Sequence, residues 1–149
     1  MGYYHRWEEI PEQTAYYLQG NPDCAGIKSR RIATDRIMVS KITVKGGAQI
    51  PRHYHEAEQI MFIQKGQARV TTGDETVHPL GPGDIWVVPS NVVHGVQYIG
   101  DVEALEVVSP PRLDTLIGYV IPHTFFAKAQ KPQESRKAQR SAAHEQERN

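Results

Sequence analysis

Between residues 36 and 108 the chain breaks into short runs rich in Val, Ile, Thr and aromatic residues. They are Arg36 to Val44, Gln59 to Gln64, Ala68 to Thr72, Asp84 to Val88, Val93 to Ile99 and Ala104 to Val108. Turn signals stand between them, at Gly46-Gly47, Gly73-Asp74, Gly81-Pro82-Gly83 and Gly100-Asp101. Runs of this length suit β-strands, and glycine supplies the backbone freedom that tight connections need. Their regular spacing leaves little chain for helix, so the pattern predicts an all-β domain, a sandwich or a barrel.

The remainder of the chain limits what such a domain works on. At 149 residues there is room for one core and not for two. The formal net charge is zero and the isoelectric point about 7.1, so no long-range field draws the chain to nucleic acid or to an anionic membrane. The expected partner is a small molecule or another protein. Cys24 is the single cysteine, which excludes an internal disulfide and agrees with a reducing compartment. Met1-Gly2-Tyr3-Tyr4-His5-Arg6 lacks the apolar core of an export signal, and no apolar run approaches the roughly 18 residues of a membrane span. The expectation is a cytoplasmic protein.

The two ends differ from the middle. Residues 1–35 mix aromatics with charges and read as an arm or edge strand. Tyr3, Tyr4, Trp7, Tyr16, Tyr17 and Leu18 have little reason to sit in an arm unless it packs on a partner subunit, which predicts a homodimer. Residues 127–149 are almost entirely Lys, Arg, Glu, Gln, Ser and Ala, too poor in apolar surface to order themselves. They read as a polar tail, helical or disordered.

Chemistry concentrates in two segments. In the first, Gly47 to Gln59 running on to Gly66, side chains two apart share one face of a strand, so His53 and His55 point together and Tyr54 points away. Two imidazoles on one face can chelate one ion. Gln59 opens the next apolar run, where Met61 and Ile63 share its face. In the second segment a glycine turn at Gly81-Pro82-Gly83, a buried run and a bend at Pro89 lead to His94, which a closed barrel would return toward the first two histidines. A fourth imidazole, from His78 or His123, is the alternative to the Gln59 amide. His5, His78, His123 and His144 otherwise read as ordinary polar residues. Glu56 and Glu58 read as rim charges, because the register that turns Gln59 inward turns Glu58 outward.

These two segments resemble the paired motifs of the cupin superfamily. The first pattern, glycine, five residues, His-x-His, three or four residues, an acidic residue, six residues and glycine, is met by Gly47, His53, His55, Gln59 and Gly66. The second, glycine, five residues, proline, a short gap and histidine, is met by Gly83, Pro89 and His94. The resemblance implies a cupin jelly-roll β-barrel over residues 36–126. It also implies one divalent metal ion per chain, of Zn, Mn, Fe or Ni, held by His53, His55, Gln59 and His94. Gln59 stands where the commoner pattern has glutamate, and Asn91 where it often has glycine.

A glutamine in that set has a chemical consequence. Three neutral imidazoles and a neutral amide leave the ion its full double charge, which raises Lewis acidity and disfavours a higher oxidation state of iron. The set therefore favours polarising a carbonyl or hydroxyl oxygen over activating dioxygen.

Further along, Ala104-Leu105-Glu106-Val107-Val108-Ser109-Pro110-Pro111-Arg112 is similar to a segment of the pectin-degradation cupins, which open cyclic unsaturated uronates and also use His, His, Gln and His as ligands. That resemblance implies an acid/base role for Glu106 and a carboxylate-binding role for Arg112. Val108 replaces an aromatic residue of that family, and Glu106 an aspartate. The mostly apolar lining expected here, Met61, Ile63, Trp86, Val88 and Val108, suits the substrates of cupin-type polyketide cyclases as well.

Three functions are compatible with the sequence. One is a redox-neutral metal enzyme, a lyase, isomerase or cyclase. The others are an iron-dependent dioxygenase on the same fold and a non-catalytic module that binds small molecules.

Overall fold

The structure is a computed structural model that describes residues 3–15, 18–112 and 115. The polar tail, His123 and His144, and Tyr16 and Tyr17 of the arm lie outside the described residues. The strands are β1 Ile27–Ala33, β2 Met38–Val44, β3 Ala48–His53, β4 Glu58–Thr72, β5 His78–Leu80, β6 Ile85–Val88 and β7 His94–Ser109. Every pairing between them is antiparallel. Short 3-10 turns at Trp7–Glu9 and Pro22–Cys24 precede β1, and no helix among the described residues is long and apolar enough to cross a membrane.

Two long strands organise the barrel. The first half of β4, Glu58 to Ile63, pairs with Ala104 to Ser109 of β7 and, on its other side, with β6. The second half, Gln67 to Thr72, pairs with His94 to Ile99 of β7 and with β5. With β1 and β2 beside the far half of β7 and β3 beside its near half, one sheet reads β1-β2-β7-β4-β6 and the other β3-β7-β4-β5. The chain is an all-β jelly roll whose two sheets share β4 and β7.

The crossing from sheet to sheet lies at Gly66 and Gly100, where the register of β4 against β7 shifts twice. Both glycines have positive φ, and a Cβ on Gly66 would collide with the Asp101 carbonyl oxygen. From sequence alone the strands are expected to break here, between Gln64 and Ala68 and at Gly100-Asp101. The structure carries each strand through, because a glycine in the left-handed region makes a bulge that bends a strand without reversing it. The short strand β5, with Pro79 at its centre, was not expected from the sequence at all.

Alternation of buried and outward residues is clear along β2, β4 and β7, as a sheet with one face on a core requires. Ile42 and Val44 from β2, Met61, Ile63, Ala68 and Val70 from β4, Trp86 and Val88 from β6, and Val96, Tyr98, Val102 and Ala104 from β7 form the core. Replacing a side chain packed as fully as Met61 by alanine costs about 2–5 kcal/mol.

Candidate metal centre

The three motif histidines meet near the end of β3 and the start of β7. His53 ends β3 and His94 begins β7, and the two are direct partners across that pairing. His55 is expected on the strand from its spacing to His53, but it lies beyond the strand's end. It follows the end of β3 in the connection to β4, so the local backbone path, and not strand alternation, turns it toward His53. Asn91 holds that connection by donating its backbone N–H to the His55 carbonyl oxygen, at 2.8 Å. Asn91 has φ +60°, the left-handed conformation that asparagine tolerates nearly as well as the glycine often found at this motif position.

Each imidazole is fixed in the same way. Nδ1 of His53 donates to the Pro51 carbonyl at 2.7 Å, Nδ1 of His55 to Ala57 at 2.7 Å and Nδ1 of His94 to Val92 at 2.8 Å. A carbonyl can only accept, so the proton of each neutral ring resides on Nδ1 and the lone pair on Nε2. Ring centroids are 4.3 Å apart for His53 and His94, 4.7 Å for His55 and His94, and 5.6 Å for His53 and His55.

Nε2 of His55 and of His94 are buried and have no hydrogen-bond partner. Buried nitrogen lone pairs left unpaired are costly unless something else takes them up. One ligand atom from each ring lies within 4.8 Å of the others, so the three histidines form a group able to hold a metal ion. The donor set fits, with neutral imidazoles, lone pairs facing one another and backbone carbonyls fixing each ring from behind.

The electrostatics agree with ligands kept deprotonated. Burial, followed by the charge of Arg112, lowers the His55 pKa to about 3, and burial lowers that of His94 to about 4. His53 is pushed well below the ordinary value, first by burial and then by the neighbouring His94. Gln59, 4 % exposed and paired with Val88 on one side and Val108 on the other, lies beside His55 and offsets part of the drop there, without a well-formed hydrogen bond to Nε2. Trp86 meets His94 edge-on at 5.7 Å and is anchored by its indole N–H to Thr72 Oγ1 at 2.8 Å.

Glu106 and Arg112 come to the same region. Glu106 sits on the inward side of β7 between Ser40 and Met61, one diagonal step from Gln59. Burial pushes the carboxyl pKa up, while Arg112 and, to a lesser extent, Arg31 pull it back. Arg112 is 8 % exposed, and its charge is felt at His53, His55, His94 and Glu106. Glu56, Glu58 and His78 are exposed, as rim and surface residues are.

Arg31 was not singled out in the sequence. It shares the inward face of β1 with Ile27 and Ser29, and the register lines it up with Ser40 and Glu106 in one row across three strands. The alternation in Ile27-Lys28-Ser29-Arg30-Arg31 is too weak to show which arginine faces inward, and only the pairing with β2 decides it.

Fold and site define a double-sheet barrel with a buried cluster of three histidines. Such a barrel has the cupin jelly-roll fold, and residues 40–109 match the family model described as the cupin domain. Among solved structures, an RmlC-like cupin from Shewanella frigidimarina superposes with a TM-score of 0.66 at 23% identity, over 76% of this chain and 96% of its own. KdgF from a Halomonas species superposes with a TM-score of 0.64 at 26% identity, over 76% of this chain and 98% of its own. An uncharacterized protein of Methanocaldococcus jannaschii, MJ0764, is 29% identical over 87 residues, 58% of this chain and 75% of its own.

Proposed function

We propose that the chain is a metal-dependent cupin enzyme of redox-neutral chemistry, a lyase, isomerase or cyclase, with His53, His55, Gln59 and His94 as ligands. The observation that carries this reading is the shared fixing of the three rings, Nδ1 on a backbone carbonyl and Nε2 inward, beside a neutral glutamine amide. When bound, a divalent ion would supply Lewis acidity toward a substrate carbonyl or hydroxyl oxygen.

The chain's own residues supply the rest. In this reading the inward carboxyl of Glu106 takes a proton from substrate carbon or oxygen and returns it, and burial, which pushes its pKa up, supports that role. The buried guanidinium of Arg112 offers a two-pronged donor to a carboxylate, which would orient a sugar acid against Glu106. Trp86, Met61, Val88 and Val108 keep this end of the barrel apolar, which excludes water and favours a substrate with a hydrophobic body. That lining supports an aromatic polyketide as a second substrate class.

The deciding experiment follows 4,5-unsaturated uronates and linear aromatic polyketide mimics by NMR, under nitrogen, with protein loaded with zinc or manganese. Anaerobic turnover with redox-silent zinc is the expected result. Turnover with iron and air alone would replace the reading by a dioxygenase. No turnover by any loaded form would leave a binding module.

A further inference from the structure

Across the inner face of the sheet β1-β2-β7-β4-β6, the register sets one residue from each strand in a single row: Arg31, Ser40, Glu106, Met61 and Trp86. The β4 and β6 end of the row is apolar, and the β1 to β7 end carries a guanidinium, a hydroxyl and a carboxyl. Burial divides it differently. Ser40, Met61 and Trp86 are 3%, 1% and 5% exposed, whereas Arg31 and Glu106 are only partly covered. An inward side chain that solvent still reaches lines open space, not packed core. Ser40 is the small residue between these two, so Arg31 and Glu106 share that space across it, from strands about 10 Å apart.

Two cations act on the Glu106 carboxyl from different directions. Arg112, beyond the end of β7, is felt there and at all three motif rings. Arg31 is felt at Glu106 from the β1 side. The rings are neutral, so two guanidiniums face one carboxylate, and the inner face holds an unbalanced positive charge before any divalent ion adds its own. Charge placed inside a protein is costly unless a counter-charge meets it. One substrate carboxylate on Arg112 leaves Arg31 and any bound ion facing Glu106 alone.

We infer that Arg31 is a specificity-determining residue that receives a second carboxylate of the substrate. The inference rests on the proposed function, in which Arg112 holds the first carboxylate and Glu106 moves the proton. The substrate class is then an open-chain diacid with a carbonyl or hydroxyl between its acid groups. One carboxylate meets Arg112 on the histidine side, the other meets Arg31 beyond Ser40, and the reacting carbon lies between them at Glu106. A guanidinium gives a carboxylate two parallel N–H donors, so each end is held in orientation as well as in place. The carbon chain of the diacid lies along the apolar end of the row, against Met61. A single-acid substrate fits the same wall and leaves Arg31 without its counter-charge.

Calorimetric titration of the full chain, supplied with zinc, tests it with glutarate and adipate against valerate and hexanoate, which match them in carbon count but carry one carboxylate. Each diacid should bind at least about tenfold more tightly than its monoacid, the scale of one charge-assisted hydrogen-bonded pair. In Arg31→Gln that ratio should fall below about twofold, and in Arg31→Lys, which keeps the charge and loses the fork, it should drop at least about threefold. Should circular dichroism show the glutamine variant unfolded, the lysine variant decides. Equal affinities in wild type overturn the inference, as does the absence of diacid binding, or a diacid preference that Arg31→Gln or Arg31→Lys leaves at the wild-type ratio. Arg112→Gln separates this from the reading beneath it. It should weaken diacid and monoacid alike, and wild-type affinity for both would strike the role of Arg112, whereas a lost diacid preference alongside turnover of a single-acid uronate would strike Arg31 alone.

Discussion

His53 and His94 are opposite residues on β3 and β7, with ring centroids 4.3 Å apart, yet neither ring donates to the other. Each gives its Nδ1 proton to a backbone carbonyl two residues away in its own chain segment. Two neutral rings held in this way, their planes tilted by 53°, present lone pairs to a common point, and a third from His55 joins them.

Metal binding should therefore depend on each ring. About one divalent ion per chain is expected by elemental analysis, and His53→Ala or His94→Ala should lower affinity at least about tenfold, the low end for disturbing a site's support. An ion at about a hundred times its dissociation constant should raise unfolding free energy by about 2.7 kcal/mol, visible as a higher melting temperature in wild type and absent in the His53→Ala, His94→Ala double variant. Full occupancy of the double variant would remove the assignment.

Stability of the metal-free protein should fall in acid, for a reason specific to these rings. Their folded pKa values, about 3 for His55, about 4 for His94 and lowered also for His53, lie below the ordinary histidine value near 6.5. Between those limits the unfolded chain binds protons that the folded chain refuses. The contribution is complete above about pH 6.5 and is lost as pH falls toward 4 and then 3. Urea midpoints of the metal-free protein at pH 7.5, 6 and 4.5 should decline in that order, and the decline should be shallower in His55→Phe.

The reaction should separate the roles of Gln59 and Glu106. Gln59→Glu should keep the ion and slow turnover, because added negative charge lowers the Lewis acidity of the site. Glu106→Gln should leave metal affinity nearly unchanged and depress turnover by roughly a hundredfold or more, the usual scale for a lost proton-transfer group. A Glu106→Gln enzyme as fast as wild type would leave the metal reading standing and end the acid/base assignment.

Backbone conformation gives a test independent of substrate. Gly66→Ala should cost at least about 2 kcal/mol, since a Cβ there is strained by its positive φ and meets the Asp101 carbonyl. Asn91→Gly should change stability little, whereas Asn91→Val should cost about 1–3 kcal/mol, because a branched side chain resists the same φ. Chemical denaturation of the three variants measures the difference.

The spacing of glycines and histidines carried a good deal of this into the sequence. Glycines at fixed distances from His53, His55 and His94 mark where the chain must turn, and turns at fixed distances leave few ways to close a barrel. What stayed hidden depends on pairing. Gly66 looks alike as a turn or as a bulge, so the continuity of β4 was not visible. His78-Pro79-Leu80 is too short and too poor a strand former to register before β4 pairs with it. Ile60-Met61-Phe62-Ile63 is apolar on both parities, and only Gln59 showed which side faces inward. The inward position of Arg31 required knowing that it lies in line with Ser40 and Glu106.

The order in which the chain emerges during synthesis matters for a barrel joined as this one is. Before β7 appears, β1 has β2 to pair with and β4 has β5 and β6, while β3 has no partner among the described strands. The first 93 residues can therefore make hairpins but not a barrel. β7 then pairs with β2, β3 and β4, and His94 is its first residue. Closure of the core and completion of the three-histidine set become one late event, so a nascent chain offers no complete histidine set to an ion until nearly all of its fold is committed.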